Sequence, residues 1–109
     1  MTTHCFTMQL KPGFEKEYKR RHDNIWPELQ KLLSESGIEE YYIYLNEETG
    51  TLFAFQKLKA SHATYDLPGD PIVKKWWSYM ADIMETHPDN SPVETELKEV
   101  FCLKDSSKG

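Results

Sequence analysis

Cysteine occurs only twice in 109 residues, and Cys5 and Cys102 form no close CxxC pair. Disulfide scaffolds, zinc ribbons and thioredoxin-like redox centres therefore lose their sequence support, and two small reduced thiols are expected. Long apolar runs are also missing. Stretches such as residues 51–55 fall far short of the roughly 18 to 20 residues that cross a bilayer. The opening Met-Thr-Thr-His-Cys-Phe has no basic region followed by an apolar segment, so no signal peptide is read and the cytoplasm is the expected compartment. Cationic excess is absent: 13 Lys and Arg stand against 18 Asp and Glu, a net charge of −5. Neither nucleic acid nor anionic membrane, both of which demand surplus cation, is expected as a partner. His4, His22, His62 and His87 are scattered with no HExxH or HxxxH, which leaves a metal site only a weak case, and neither GxGxxG nor GxSxG occurs, which removes the sequence support for a dinucleotide fold or a serine hydrolase. The carboxylates are too numerous and surface-like to single out a glycosidase pair.

The length and the 39% hydrophobic fraction suit one globular domain with a thin core, and dimerisation would support such a core. His4, Phe6, Met8 and Leu10 alternate with polar residues and predict a first strand, stopped at Pro12-Gly13. Residues 14–36 read as two helical pieces broken around Asp23-Asn24 and Pro27. The first runs to about His22; the second is capped near Asn24, with an apolar face of Leu29, Leu32 and Leu33, and ends at Gly37. Residues 38–45 and 51–58 are rich in β-formers and flank a short turn, the pattern of a hairpin. Asp70-Pro71 predicts a helix start, and Ile72, Val73, Trp76, Trp77, Met80, Ile83 and Met84 form its apolar stripe. Residues 97–103 read as a last strand, with Leu97, Phe101 and Leu103 on one face. One domain is expected over residues 1–104, with 105–109 a polar tail.

The β-α-β-β-α-β order predicts an α+β, ferredoxin-like antiparallel sheet with its helices on one face. Apolar residues at both parities of the strands, as in Leu52, Phe53, Ala54 and Phe55, predict that the other face is covered as well. A homodimer packed sheet on sheet would supply that second layer.

Among residues able to carry chemistry, Tyr18 and His22 stand four apart and share a helix face, so a phenol and an imidazole can reach one ligand. His22 titrates near neutrality and is the most economical general acid or base available; a partly exposed histidine ending a helix is the plainer reading. Trp76 and Trp77, adjacent on a helix, point about 100° apart and cannot both centre one core stripe. One of them can face a pocket, where an indole offers an apolar face and an N–H donor to a sugar ring; both can equally be core. Tyr41, Tyr42 and Tyr44 pose the same choice, and strand parity separates Tyr41 from Tyr42 but groups Tyr42 with Tyr44. The run Lys19-Arg20-Arg21 follows Glu15 and Glu17 at helical spacing and reads as a solvated, locally paired face.

The segments EYKRRH (residues 17–22), NIWPEL (24–29), YYIYL (41–45), WWSYM (76–80) and HPDNSPVETELKEVF (87–101) make nearly the whole sequence resemble the L-rhamnose mutarotase family. The resemblance implies a dimeric α/β barrel and interconversion of the α and β anomers of L-rhamnopyranose without a cofactor. It places the proton donor on His22 and substrate contacts on Tyr18, Tyr41, Trp76 and Trp77. Opening a pyranose needs one proton delivered to the ring oxygen and another taken from the anomeric hydroxyl, and one histidine can serve as acid in opening and base in closing. The acceptor of the second proton is left open among Tyr18, a carboxylate and water. The same fold also admits a small monooxygenase acting on aromatic or haem substrates and a sugar-sensing module with no reaction, because fold does not dictate function.

Overall fold

The computed structural model describes residues 2–103; the expected polar tail lies outside the described residues. Strand β1 (Thr2–Gln9) is followed by helices α1 (Glu15–Asp23) and α2 (Pro27–Glu35), strands β2 (Ile38–Asn46) and β3 (Thr51–Leu58), a 3-10 segment (Thr64–Gly69), helix α3 (Pro71–Met80) and a two-residue strand β4 (Thr95–Glu96). The four strands form one antiparallel sheet in the order β2-β3-β1-β4. This is the expected α+β order, with the first helix in two pieces.

Period-2 alternation decides what the sheet buries. Phe6, Met8, Leu10, Leu52 and Ala54 are buried with Tyr18 of α1, Met80 of α3 and the following Ile83 and Met84, and Ile43 and Leu45 of β2 pack against this core. Register brings Phe6, Ala54 and Ile43 into one row and Met8, Leu52 and Leu45 into the next. The helices thus cover the face that carries these residues. On the opposite face Tyr42 and Tyr44 are exposed, with Phe53 and Phe55 half-buried beside them.

The helix boundaries follow local chemistry. Asp70 caps α3, its carboxylate accepting the Ile72 N–H at 2.9 Å, and Pro71 occupies the first turn where its missing N–H costs nothing. The break between α1 and α2 falls where expected, but Asn24 does not cap α2. Its side-chain amide donates back to the Arg20 carbonyl at 2.8 Å, closing the end of α1. Trp26 takes the cap position of α2 without a side-chain hydrogen bond. At Gly37 the backbone turns at φ +103°, and a Cβ would stand 2.6 Å from the Cβ of His62, so only glycine fits between α2 and β2.

Two expectations fail. Helix α3 ends at Met80, and Ile83 and Met84 reach the core from the turn after it, Met84 bridging to Leu10. The last strand is Thr95–Glu96 alone. Leu97, Phe101 and Leu103 share no buried face: Phe101 is 78% and Leu103 83% exposed. Only Phe6 and Thr7 of β1 pair with Thr95 and Glu96, and one further bond runs from the Leu97 N–H to the Cys5 carbonyl before the segment leaves the edge. Both cysteines are free thiols, Cys5 half-buried and Cys102 exposed.

Candidate functional site

Helical spacing places Tyr18 and His22 one turn apart on α1, and their rings stack with centroids 4.2 Å apart. Trp76 of α3 meets the His22 ring edge-on at 5.4 Å, so the imidazole is held between a phenol and an indole from two helices. His22 Nδ1 lies 3.1 Å from the Tyr18 carbonyl, which can only accept. Nδ1 therefore carries the proton, leaving Nε2 as the ring position that exchanges one. Burial lowers the His22 pKa below its ordinary 6.5, against opposing contributions from the Tyr18 carbonyl and Asp23.

Behind Trp76 stands a second aromatic layer. Trp26 packs edge-on against it at 5.0 Å and Tyr79 lies 5.6 Å away. Trp76 is thereby part of the core as well as a neighbour of His22. Trp77, the adjacent indole, turns instead to a cleft of about 590 Å³ whose walls include Pro68, Lys74, Ser78, His87 and Glu94. The two tryptophans divide the roles that the sequence left open: one supports the imidazole and the other faces the cleft.

Tyr41 enters from the sheet. Its residues in register are Gln56 on β3 and, next across, His4 on β1, so these three share a row on the helix-covered face. Burial pushes the Tyr41 phenol up to about 12, with Gln56 opposing and the Glu94 charge reinforcing the shift, although about a third of the residue is exposed. Burial likewise raises the Tyr18 phenol, and the Tyr41 phenol adds to the rise, so the two hydroxyls are electrostatic neighbours. Both are neutral donors at physiological pH. His4 is bonded from both ring nitrogens, to Gln56 Oε1 at 3.2 Å and Glu96 Oε1 at 2.8 Å, a pattern met by the imidazolium. Burial pulls its pKa down, but the bonds to Glu96 and Gln56 outweigh that and the net shift is upward.

The structure thus brings Tyr18, His22 and Trp76 into contact, places Tyr41 in the sheet row of Gln56 and His4 on the helix-covered face, and sets Trp77 on the wall of the cleft. Sequence reasoning missed Gln56, His4 and Glu94, which reach this neighbourhood only through strand register and the loop before β4. It also misread Arg21. The expected pairing with Glu17 exists at 2.7 Å, yet the guanidinium is buried, bonded to Asp82 and the Tyr79 carbonyl and lying 4.6 Å over the Tyr79 ring. A fork of five donors that finds partners on α1 and beyond α3 is satisfied inside the protein and need not be solvated. Among the described residues, no group of three or more His, Cys, Asp or Glu side chains is placed to hold a metal ion, and no helix is long and apolar enough to cross a membrane.

Residues 3–103 match the family model described as L-rhamnose mutarotase. An L-rhamnose mutarotase of Phocaeicola vulgatus is 56% identical over 103 residues, 94% of this chain and 99% of that protein. One of Flavobacterium johnsoniae is 60% identical over 99 residues, 91% of this chain and 92% of that protein. Among solved structures, the crystal structure of an L-rhamnose mutarotase from Formosa agariphila superposes with a TM-score of 0.89 at 50% identity, covering 95% of this chain and all of the other. A Mycobacterium tuberculosis protein, at 16% identity and a TM-score of 0.57, shares the fold alone.

Proposed function

The chain belongs to the L-rhamnose mutarotase family, and from that premise we propose that His22 is the residue through which it exchanges a proton with the sugar ring. Its activity is that family's: interconversion of the α and β anomers of L-rhamnose, an isomerisation. Neither a monooxygenase nor a sensing module is favoured by these relatives. The observation that carries the assignment is the His22 ring itself, clamped between Tyr18 and Trp76 with its tautomer fixed by the Tyr18 carbonyl. A base or acid held this way loses little orientational entropy on meeting its substrate.

In this reading the imidazolium delivers a proton from Nε2 to the ring oxygen as the C1–O5 bond breaks. The neutral ring takes it back after the open-chain aldehyde has rotated. The Tyr18 and Tyr41 hydroxyls, kept neutral by burial, donate hydrogen bonds that orient the sugar. Trp77 offers its indole to the C–H face of the pyranose and to the 6-methyl group that distinguishes rhamnose from a hexose.

Trp77 is the cleaner of the two indoles to test, because Trp76 also packs against the core. Trp77→Ala is expected to fold normally and to weaken L-rhamnose binding about tenfold, roughly 1.4 kcal/mol, measured by saturable quenching of the remaining tryptophan fluorescence. Wild-type affinity in a folded Trp77→Ala protein would remove Trp77 from the site.

The homodimer belongs to the same proposal. Its support is the uncovered sheet face with Tyr42, Tyr44, Phe53 and Phe55, together with Val100, Phe101 and Leu103, all more than three-quarters exposed on the segment that leaves β4. Apolar side chains of this size at both places are what a sheet-on-sheet dimer would bury, closing the two sheets into an α/β barrel. Sedimentation should give a dimer at micromolar concentration. Tyr44→Glu, at a position 61% exposed in the single chain, should leave a folded monomer at the same concentration. A wild-type protein that sediments as a monomer would overturn the dimer.

A further inference from the structure

Strand register lays successive rows of side chains across the helix-covered face of the sheet. Phe6, Ala54 and Ile43 make one row, and Leu58 with Ile38 makes another; all of these are buried except Ile43, which is partly buried. The row between them is His4, Gln56 and Tyr41. An imidazole, an amide and a phenol thus interrupt an apolar surface, and Gln56 is only 9% exposed. Burying a primary amide between apolar rows is costly unless its polar atoms find partners. Half of that requirement is met inside the protein. Gln56 Oε1 accepts from His4 Nδ1 at 3.2 Å, and His4 Nε2 is held in turn by Glu96 Oε1 at 2.8 Å. Turning the amide over would set its N–H against the His4 Nδ1–H, donor against donor, so the orientation is fixed. Neither the Gln56 Nε2 donors nor the Tyr41 hydroxyl finds an acceptor among the described residues. No side-chain nitrogen or oxygen of those residues is sealed off without a partner, so the Gln56 amide nitrogen is reached from outside.

These donors stand next to the surroundings of His22. The His4 ring lies 4.9 Å from the Phe6 ring. Phe6 and Ala54 belong to the same core cluster as Tyr18, on whose ring His22 stacks at 4.2 Å. The polar row is therefore one row, about 7 Å along the strands, from residues that share the Tyr18 cluster. A pyranose carrying its hydroxyls bridges such an interval. Resting on the proposal above that Tyr41 contacts the sugar, we infer that Gln56 is a further substrate-binding residue, whose Nε2 donates a hydrogen bond to a ring hydroxyl of L-rhamnose.

The chemistry of the row suits a neutral polyol. His4 and Glu96 spend their charges on each other, so what the row offers a ligand is an amide N–H and a phenol O–H with no net charge. Gln56 opposes the rise of the Tyr41 phenol, the effect of an amide N–H lying toward the phenol oxygen. With that oxygen accepting, the Tyr41 O–H is turned to the ligand as well. An amide already locked by His4 has little freedom left to lose when the sugar arrives.

Gln56→Met keeps the length and bulk of the side chain and removes both donors. It is expected to fold, since the rows on either side are apolar. Binding of L-rhamnose, read by tryptophan fluorescence, should weaken about five- to tenfold, the contribution of one neutral hydrogen bond. In anomer exchange followed by NMR, KM should rise by the same factor with kcat kept, because the bond is made equally in the ground and transition states. A panel of 2-, 3- and 4-deoxy-L-rhamnose separates contact from support. One member should bind the wild type about five- to tenfold more weakly than L-rhamnose does, and Gln56→Met should no longer distinguish the two. Wild-type affinity in folded Gln56→Met, a fall in kcat at unchanged affinity, or an equal loss against L-rhamnose and every analogue would overturn the inference. If Gln56→Met does not fold, the wild type decides. The Gln56 side-chain amide resonances should shift on saturation with L-rhamnose and not with the analogue that lacks their acceptor, and resonances unmoved by L-rhamnose would overturn it. Tyr41→Phe, measured alongside, keeps the two assignments apart. If it weakens binding while Gln56→Met does not, Tyr41 stays in the site and Gln56 falls; if neither variant loses affinity, both fall.

Discussion

Replacing His22 with alanine is expected to slow catalysed anomer exchange of L-rhamnose by 10² or more while leaving the protein folded. The imidazole is half-buried and contributes stacking to Tyr18 and an edge contact to Trp76, but the core cluster closes without it. Exchange has to be compared with the uncatalysed rate in the same buffer, since sugars mutarotate spontaneously with general acids and bases. Tyr18→Phe should do less, because it removes a hydrogen bond to the sugar and keeps the ring on which His22 rests. The pH dependence follows from the sign of the shift. Burial lowers the His22 pKa below 6.5, so the imidazolium that donates in ring opening is depleted as pH rises through a window below that value. The alkaline side of the kcat/KM profile should fall accordingly, and that fall should be missing from whatever activity His22→Ala retains. A folded His22→Ala protein with wild-type exchange would disprove the assignment.

The second large effect is on stability. Arg21→Ala is expected to cost about 2 to 3 kcal/mol in urea unfolding, because it deletes charge-assisted bonds to Glu17 and Asp82 and leaves the Tyr79 carbonyl without its donor. For a domain of this length that lowers Tm by roughly 10 °C or more. Arg21→Lys should recover only part of the loss, since one ammonium cannot reach three partners on two elements in the planar geometry of a guanidinium. Acid should act on the same network. Arg20 and, next, Arg21 hold the Glu17 carboxyl down from 4.5 to about 2, and Arg21 lowers Asp82 from its ordinary 3.8. A depressed carboxyl contributes stability above its unfolded pKa and loses it as pH falls through the folded one. Wild-type stability should therefore decline from about pH 4.5 toward pH 2, and Arg21→Ala should show a shallower decline, with Arg20 still pairing Glu17. An Arg21→Ala protein as stable as wild type at neutral pH would show that the buried fork is not what ties α1 to the end of α3.

Periodicity determined the fold. Alternation in β1, β2 and β3, the Asp70-Pro71 start of α3 and the break before Pro27 are written in neighbouring residues, and local sterics and capping suffice to read them. The i to i+4 spacing of Tyr18 and His22 likewise determined that a phenol and an imidazole share a face, and long motifs in order identified the family. Tertiary structure decided the rest. Which indole supports His22 and which faces the cleft depends on the rotation of α3 against α1, and no spacing within WWSYM contains it. The burial of Arg21 depends on an aspartate 61 positions away, so a local pattern of alternating charge reads the same whether the guanidinium meets water or Asp82. His4, Gln56 and Tyr41 form a row only once three strands are in register, and Glu94 reaches them only through the turn that precedes β4. The exposed course of residues 97–103 has the same origin: an alternating apolar segment predicts a strand wherever a partner edge is available, and here the segment leaves the β1 edge after Thr95 and Glu96. Elements are set by short-range sterics and hydrophobic period, whereas sites are set by contacts between elements, which a one-dimensional pattern does not carry.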